Sequence, residues 1–151
     1  MIKDDMVAEA RAVEVLQFRM ITHVTTAQSL DIGDVDGHTA SLARFSGLAF
    51  FSDGGVATAY FASLADYTNG AGTFTLYPIL SFDDGSVLWL KSCGTGTVEG
   101  AKTHFVGKLA VVGGKGRFEG ATGDGTLSGT RYTSLSVGAD LVSDYTVNLR
   151  K

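Results

Sequence analysis

The sequence predicts an all-β chain: a closed antiparallel β-barrel of about eight strands behind a short N-terminal helix or arm. Three observations lead there. The 151 residues hold 20 glycines and one proline, Pro78, the balance that long antiparallel strands with tight turns require. Stretches rich in Val, Thr, Phe and Tyr recur, separated by turn signals such as "SDGG", "TNGAG" and "DDGS". Several of these stretches are long, and a meander of long strands cannot leave its edges open; closure into a barrel removes them.

The elements follow in order. Residues 3–12 are the one fair helix candidate, with Asp4 or Asp5 as cap and Ala8, Glu9, Ala10 and Arg11 as good formers. The domain reading is therefore an arm over residues 1–12 and one barrel over 13–151. Residues 13–24 form the first strand. Residues 26–38 read as a polar loop, with room for a short strand inside. Strands follow over 39–51, 56–67, 73–82, 87–99, 103–112, 122–136 and 141–149. Pro78 falls inside a strand, which calls for a bulge or a local gap in the ladder.

Composition narrows the function classes. Hydrophobic residues make up 44% and charged residues 19%, a globular balance, with a formal net charge of -4. No basic cluster stands out, so nucleic acid is not an expected partner. No apolar run is long enough to span a membrane as a helix, and the first residues are acidic where a secretory signal is basic and then apolar. A single cysteine, Cys93, excludes an internal disulfide. Together these lead to the expectation of a cytoplasmic protein.

The stretch "GGKGRFEGATGDGTLSG", Gly113 to Gly129, has the look of a phosphate-binding loop. A P-loop, however, needs Lys then Ser or Thr before a helix, and here Lys115 precedes Gly116. The dinucleotide fingerprint needs G-x-G-x-x-G opening a helix, and both spacings here are one residue longer. Gly123, Gly125 and Gly129 fall on one face by period two, so the glycines serve strand curvature or close packing.

The same stretch resembles the glycine-rich segment of allene oxide cyclases and related dirigent-like barrels. Gly113, Gly114, Gly116, Phe118, Gly120, Ala121 and Gly123 carry the likeness, and "SFDDGSVLWL" resembles the preceding turn and strand. The match covers mainly the second half of the chain. The resemblance implies an eight-stranded barrel around an apolar cavity. It also implies chemistry without metal or organic cofactor: cyclisation of an epoxy fatty acid, guidance of phenoxy-radical coupling, or intramolecular [4+2] closure of polyketides. The chain departs from the plant cyclases at their Glu-x-Asn pattern, where an ungapped comparison puts Arg19 and Ile21, and at an Asn on the next strand, where Gly47 stands.

Candidate site residues come from strand alternation. On the first strand Gln17 and Arg19 share one face, and Phe18 and Met20 the other. Burial logic turns the second face inward, whereas the family likeness points Gln17 and Arg19 into the cavity. On the third strand Tyr60 and Leu64 share a face, and a mid-strand tyrosine there would donate a hydrogen bond to a substrate carbonyl or enolate. Tyr77, beside Pro78, is a second such donor. Core aromatics with satisfied hydroxyls are the competing reading for both. Phe45 and Trp89 are candidate walls, although for the fifth strand either face could be the interior. Tyr60, Tyr77 and Arg19 are thus the catalytic candidates, and Phe45, Trp89, Gln17, Phe18 and Leu64 the substrate-binding ones. Cys93 reads as a buried thiol with no adjacent base. His23, His38 and His104 lack zinc spacing, and "DVDGH" lacks the first and twelfth ligands of a calcium loop. The expected function is a cofactor-independent cyclase or isomerase acting on an apolar small molecule. The alternative is a non-catalytic binder or dirigent-like guide. Leu42, Leu48 and Phe50 alternate with Phe45 and Phe51, so one set faces outward, and a homo-oligomer is expected.

Overall fold

The computed structural model describes residues 13–151 and shows a closed barrel of eight antiparallel strands, each hydrogen-bonded to its neighbours in chain order, with the last paired to the first. The strands are β1 (Val13–Asp31), β2 (His38–Phe51), β3 (Val56–Thr68), β4 (Ala71–Ser81), β5 (Val87–Glu99), β6 (Lys102–Lys115), β7 (Thr122–Arg131) and β8 (Leu141–Arg150). Two one-turn 3₁₀ segments, Gly116–Phe118 and Leu135–Val137, lie in the loops flanking β7. The helix expected over residues 3–12, and with it the N-terminal arm, lies outside the described residues. Among the described residues no helix is long and apolar enough to cross a membrane.

The first strand is longer than expected. Residues 26–31, read as loop, continue β1 and pair with β2 as far as Asp31 opposite Thr39. The ladder shifts between Val24 and Thr26, and the extra residue, Thr25, anchors its hydroxyl on the Arg44 carbonyl at 3.1 Å. Such a bulge reverses which residues face inward. Phe18, Met20 and Thr22 are buried before it, whereas Ser29 reaches the interior after it. At the other end of the chain β7 stops at Arg131, shorter than expected, and the next residues form a loop around Leu135–Val137. Pro78 behaves as its missing N–H demands. It sits opposite Phe61 of β3, but towards β5 the ladder is broken between the Leu76–Ser92 and Ile79–Trp89 pairs.

One half of the interior is packed solid. Phe18, Phe51, Phe82 and Phe118 run across that end with successive ring centroids 4.8, 5.4 and 5.2 Å apart, over the fully buried Leu80, Leu88, Val147 and Leu149. The glycine-rich stretch builds this end. It folds back over the β4–β5 turn, where the Arg117 amide donates to Ser86 Oγ at 3.2 Å and the Arg117 side chain pairs with Asp84 at 3.0 Å. Phe118 is thereby driven into the core. A Cβ at Gly114 would collide with the Val87 carbonyl and the Phe118 side chain. Gly114 thus serves close packing. The same logic explains Gly47, where a Cβ would overlap the Ile21 carbonyl of β1.

Candidate functional site: a cavity at the open end of the barrel

The other half of the interior is not filled. Small residues alternate inward there: Ser41 and Ala43 on β2, Ser63 and Ala65 on β3. Their missing volume leaves a cavity of about 190 Å³. A void of roughly 150 Å³ in a protein core already accommodates benzene. The walls are aromatic. Phe45 and Phe61 stack at 4.6 Å, and Phe74 meets Phe105 edge to face at 5.6 Å.

Tyr145 of β8 marks the lower limit of this space. Its ring stacks on Phe18 at 5.0 Å, so the cavity rests on the aromatic layer beneath. Burial pushes the Tyr145 hydroxyl well above its ordinary range and keeps it protonated. Ser92 on β5 and Ser143 on β8 act on it in the opposite sense, yet no hydrogen bond of acceptable geometry joins these hydroxyls. With Thr22 they make four buried hydroxyls that lack a partner among the described residues. Unpaired buried polar atoms are rare and costly, which singles out this level of the interior.

Near the rim the polar groups differ. Tyr67 and Arg131 both line the cavity, at the ends of β3 and β7. Burial raises the Tyr67 hydroxyl to about 12, with the nearby Arg131 opposing the shift. Burial also lowers the Arg131 pKa, with Tyr67 acting the other way. Among the described residues the guanidinium has no ion-pair partner, only a long bond of 3.4 Å to the Thr103 hydroxyl.

The sequence-derived candidates divide. Phe45 lines the cavity. Phe18 is inside, but in the packed layer under Tyr145 and not on the cavity wall. The other six take the outer face. Tyr60, Tyr77 and Leu64 are exposed because Phe61, Ser63, Leu76 and Pro78, their neighbours along β3 and β4, occupy the inward phase. Gln17 and Arg19 are exposed, and Arg19 forms a two-pronged pair with Asp144 across the β1–β8 ladder at 2.8 and 3.1 Å. On β1, burial logic wins over the family likeness: Phe18, Met20 and Thr22 turn inward. Trp89 also lies outside, under the Lys115 ammonium, because Leu88, Leu90 and Ser92 fill the interior of β5. Cys93 shares that outer face and is exposed, not buried. So the structure does not bring Tyr60, Tyr77 and Arg19 together around the cavity.

Tyr67, Arg131, Ser143 and Tyr145 were not singled out from the sequence. A signal existed for two of them: Leu141, Ser143, Tyr145, Val147 and Leu149 form an unbroken period-two row, all buried. His38 is a separate polar centre on the outer surface. Its Nδ1 lies 2.7 Å from Asp34 and its Nε2 2.6 Å from Asp66. Among the described residues no group of three or more His, Cys, Asp or Glu side chains converges as a metal site.

No protein-family model and no curated protein matches the sequence. Solved structures that share the fold include those of three proteins. A conserved protein of unknown function from Rhodopseudomonas palustris, RPA1785, superposes with a TM-score of 0.59 at 12% identity, covering 91% of this chain and 98% of that one. The pterocarpan synthase dirigent protein GePTS1 gives 0.56 at 16% identity over 91% and 88% of the two chains. The pterocarpan synthase dirigent protein PsPTS1 gives 0.55 at 15%, over 91% and 95%. At these identities the likeness is one of fold: the chain has the barrel architecture of dirigent proteins.

Proposed function

We propose that the open half of the barrel binds a small, mostly apolar molecule, and that the protein is a cyclase or isomerase working by confinement and hydrogen-bond donation. The observation that carries this reading is the cavity itself: about 190 Å³ of space between aromatic walls, with polar groups at its rim and base. Ligand pockets generally combine apolar walls with a few placed polar groups. Holding a flexible chain in one reactive conformer removes entropy from the barrier, a contribution that reaches roughly 7–11 kcal/mol in well-oriented intramolecular reactions. A tyrosine that stays protonated serves as a donor to a developing enolate or alkoxide, and Tyr145 is that group here.

The experiment is a screen of apolar carbonyl compounds, polyenes and phenolics by thermal shift and native mass spectrometry. Trp89 is on the outer face, so tryptophan quenching would not report on this site. A hit should be lost, by tenfold or more in affinity, in Ser63→Phe, which fills the cavity; circular dichroism checks that the barrel persists. Tyr145→Phe should retain binding but slow conversion of the hit. Binding that survives Ser63→Phe in a folded barrel would place the ligand elsewhere and end the proposal. The dirigent-like fold also supports a second reading, in which the cavity holds or guides a ligand without turning it over, although both dirigent neighbours carry the name synthase. Binding without conversion in the wild type would select it.

A further inference from the structure

Arg131 is half-buried at the cavity rim and has no carboxylate beside it among the described residues. Contrast Arg19 and Arg117, both more open to water and both paired with aspartate. A guanidinium withdrawn from water is costly unless an anion completes it, and its planar fork fits a carboxylate with two parallel bonds. Tyr67, which shares the rim, has a neutral hydroxyl able to donate to the same anion. Behind the rim stand Phe45, Phe61, Phe74 and Phe105, two ring pairs with space between them. The volume suits one ring on a short arm and is too small for a long acyl chain.

We propose that the cavity takes a monocyclic aryl carboxylate, its ring between the phenylalanine pairs and its carboxylate on the Arg131 guanidinium. The proposal rests on the reading of the cavity as a ligand site and adds the chemical class. A charge-assisted pair of this kind distinguishes the acid from its neutral analogue by about tenfold or more.

The test is isothermal calorimetry with three probes, 3-phenylpropanoate, 3-phenylpropan-1-ol and octanoate, on the wild type and on Arg131→Gln. The acid should bind the wild type about tenfold more tightly than the alcohol. Arg131→Gln should abolish that preference while leaving the alcohol's affinity within about twofold, which also shows that the variant is folded and its cavity intact. Octanoate should bind more weakly than 3-phenylpropanoate. An alcohol that binds as well as the acid, or a preference that survives Arg131→Gln, overturns the carboxylate assignment and leaves the cavity reading standing. Octanoate binding as tightly as the aryl acid overturns the aromatic part. If the wild type binds none of the three, the aryl-carboxylate proposal falls, and the library screen then decides the cavity reading separately.

Discussion

His38 has carboxylates at both ring nitrogens, Asp34 and Asp66, an arrangement that suits the doubly protonated ring. The Asp34 hydrogen bond, then that of Asp66, raises its pKa above the ordinary 6.5. The folded protein therefore holds this proton more tightly than the unfolded chain. The stabilisation is fully present below 6.5 and is lost as pH rises through the raised folded value. Asp34 runs the opposite way. Its pKa is depressed mainly by His38, so its contribution is present above 3.8 and is lost as pH falls through the lowered folded value. The clamp ties the β1–β2 loop to β3 between those limits. We expect the wild-type melting temperature to fall from mildly acidic to mildly alkaline pH by more than that of His38→Gln. Parallel profiles for the two proteins would show that the clamp contributes nothing. Single residues of the cavity were less legible in the sequence than their strands. Both faces of β3 carry a tyrosine, Tyr60 and Tyr67, and alternation alone does not say which face is inside. The inward one is set by Phe61, whose partner Phe45 lies on the adjacent strand, and that pairing is a matter of register. Arg131 was harder still, since a cation at a strand end reads as solvated until the neighbouring strands are placed.

At the scale of the element, β7 shows why glycine recurs on one strand face. Gly125 lies between Leu109 of β6 and Val147 of β8. A Cβ there would overlap the Thr146 carbonyl and approach the Val147 Cα to 3.1 Å, both backbone and unable to swing aside. Gly120, by contrast, has φ +74 and open space around it, so a side chain there meets only backbone strain. Gly125→Val should cost on the order of 1–3 kcal/mol or more by overpacking. Gly120→Ala should cost roughly 1–2 kcal/mol, the left-handed penalty alone. Urea denaturation of both variants orders the two effects, and a Gly125→Val barrel as stable as the wild type would refute the packing role. The element bounds also show where pattern reading stops. β2, β3 and β5 were legible nearly to the residue, because apolar alternation runs to their turns. The extension of β1 through Asp31 was not, since residues 25–31 are mostly polar and all exposed and the bulge at Thr25 breaks the alternation. That extension brings Ser29 to the cavity, so the same irregularity hid both strand and site.

Across the whole molecule the outer surface is uneven. Closure of the barrel fixes one face of every strand as interior, and the other face of β1 to β4 still carries many apolar side chains. Ile21 pairs with Leu48, Phe50 with Val56, and Tyr60 with Ile79, so these side chains form a continuous patch across four adjacent strands. Each is roughly 40–50% exposed, from Ile79 at 38% to Ile21 and Val56 at 49%. On β6 to β8 much of the outward row is polar, with Lys108, Thr126, Ser128, Asp144 and Thr146 exposed or half-exposed. An apolar patch this wide on one side of a barrel is usually covered by a partner, and the commonest cover is the same patch or its complement on a second copy. We expect a homo-oligomer, dimer or trimer, joined through β1 to β4. This placement gives Tyr60 a role as contact surface, so Tyr60→Phe should leave cavity binding unchanged. Leu48→Glu puts a carboxylate in the middle of the patch, where association would strip its water, and it should dissociate the assembly to monomers that keep the wild-type circular dichroism spectrum. Light scattering at micromolar concentration reads the result. A monomeric wild type would refute the expectation, and an oligomer indifferent to Leu48→Glu would move the interface to another face of the barrel.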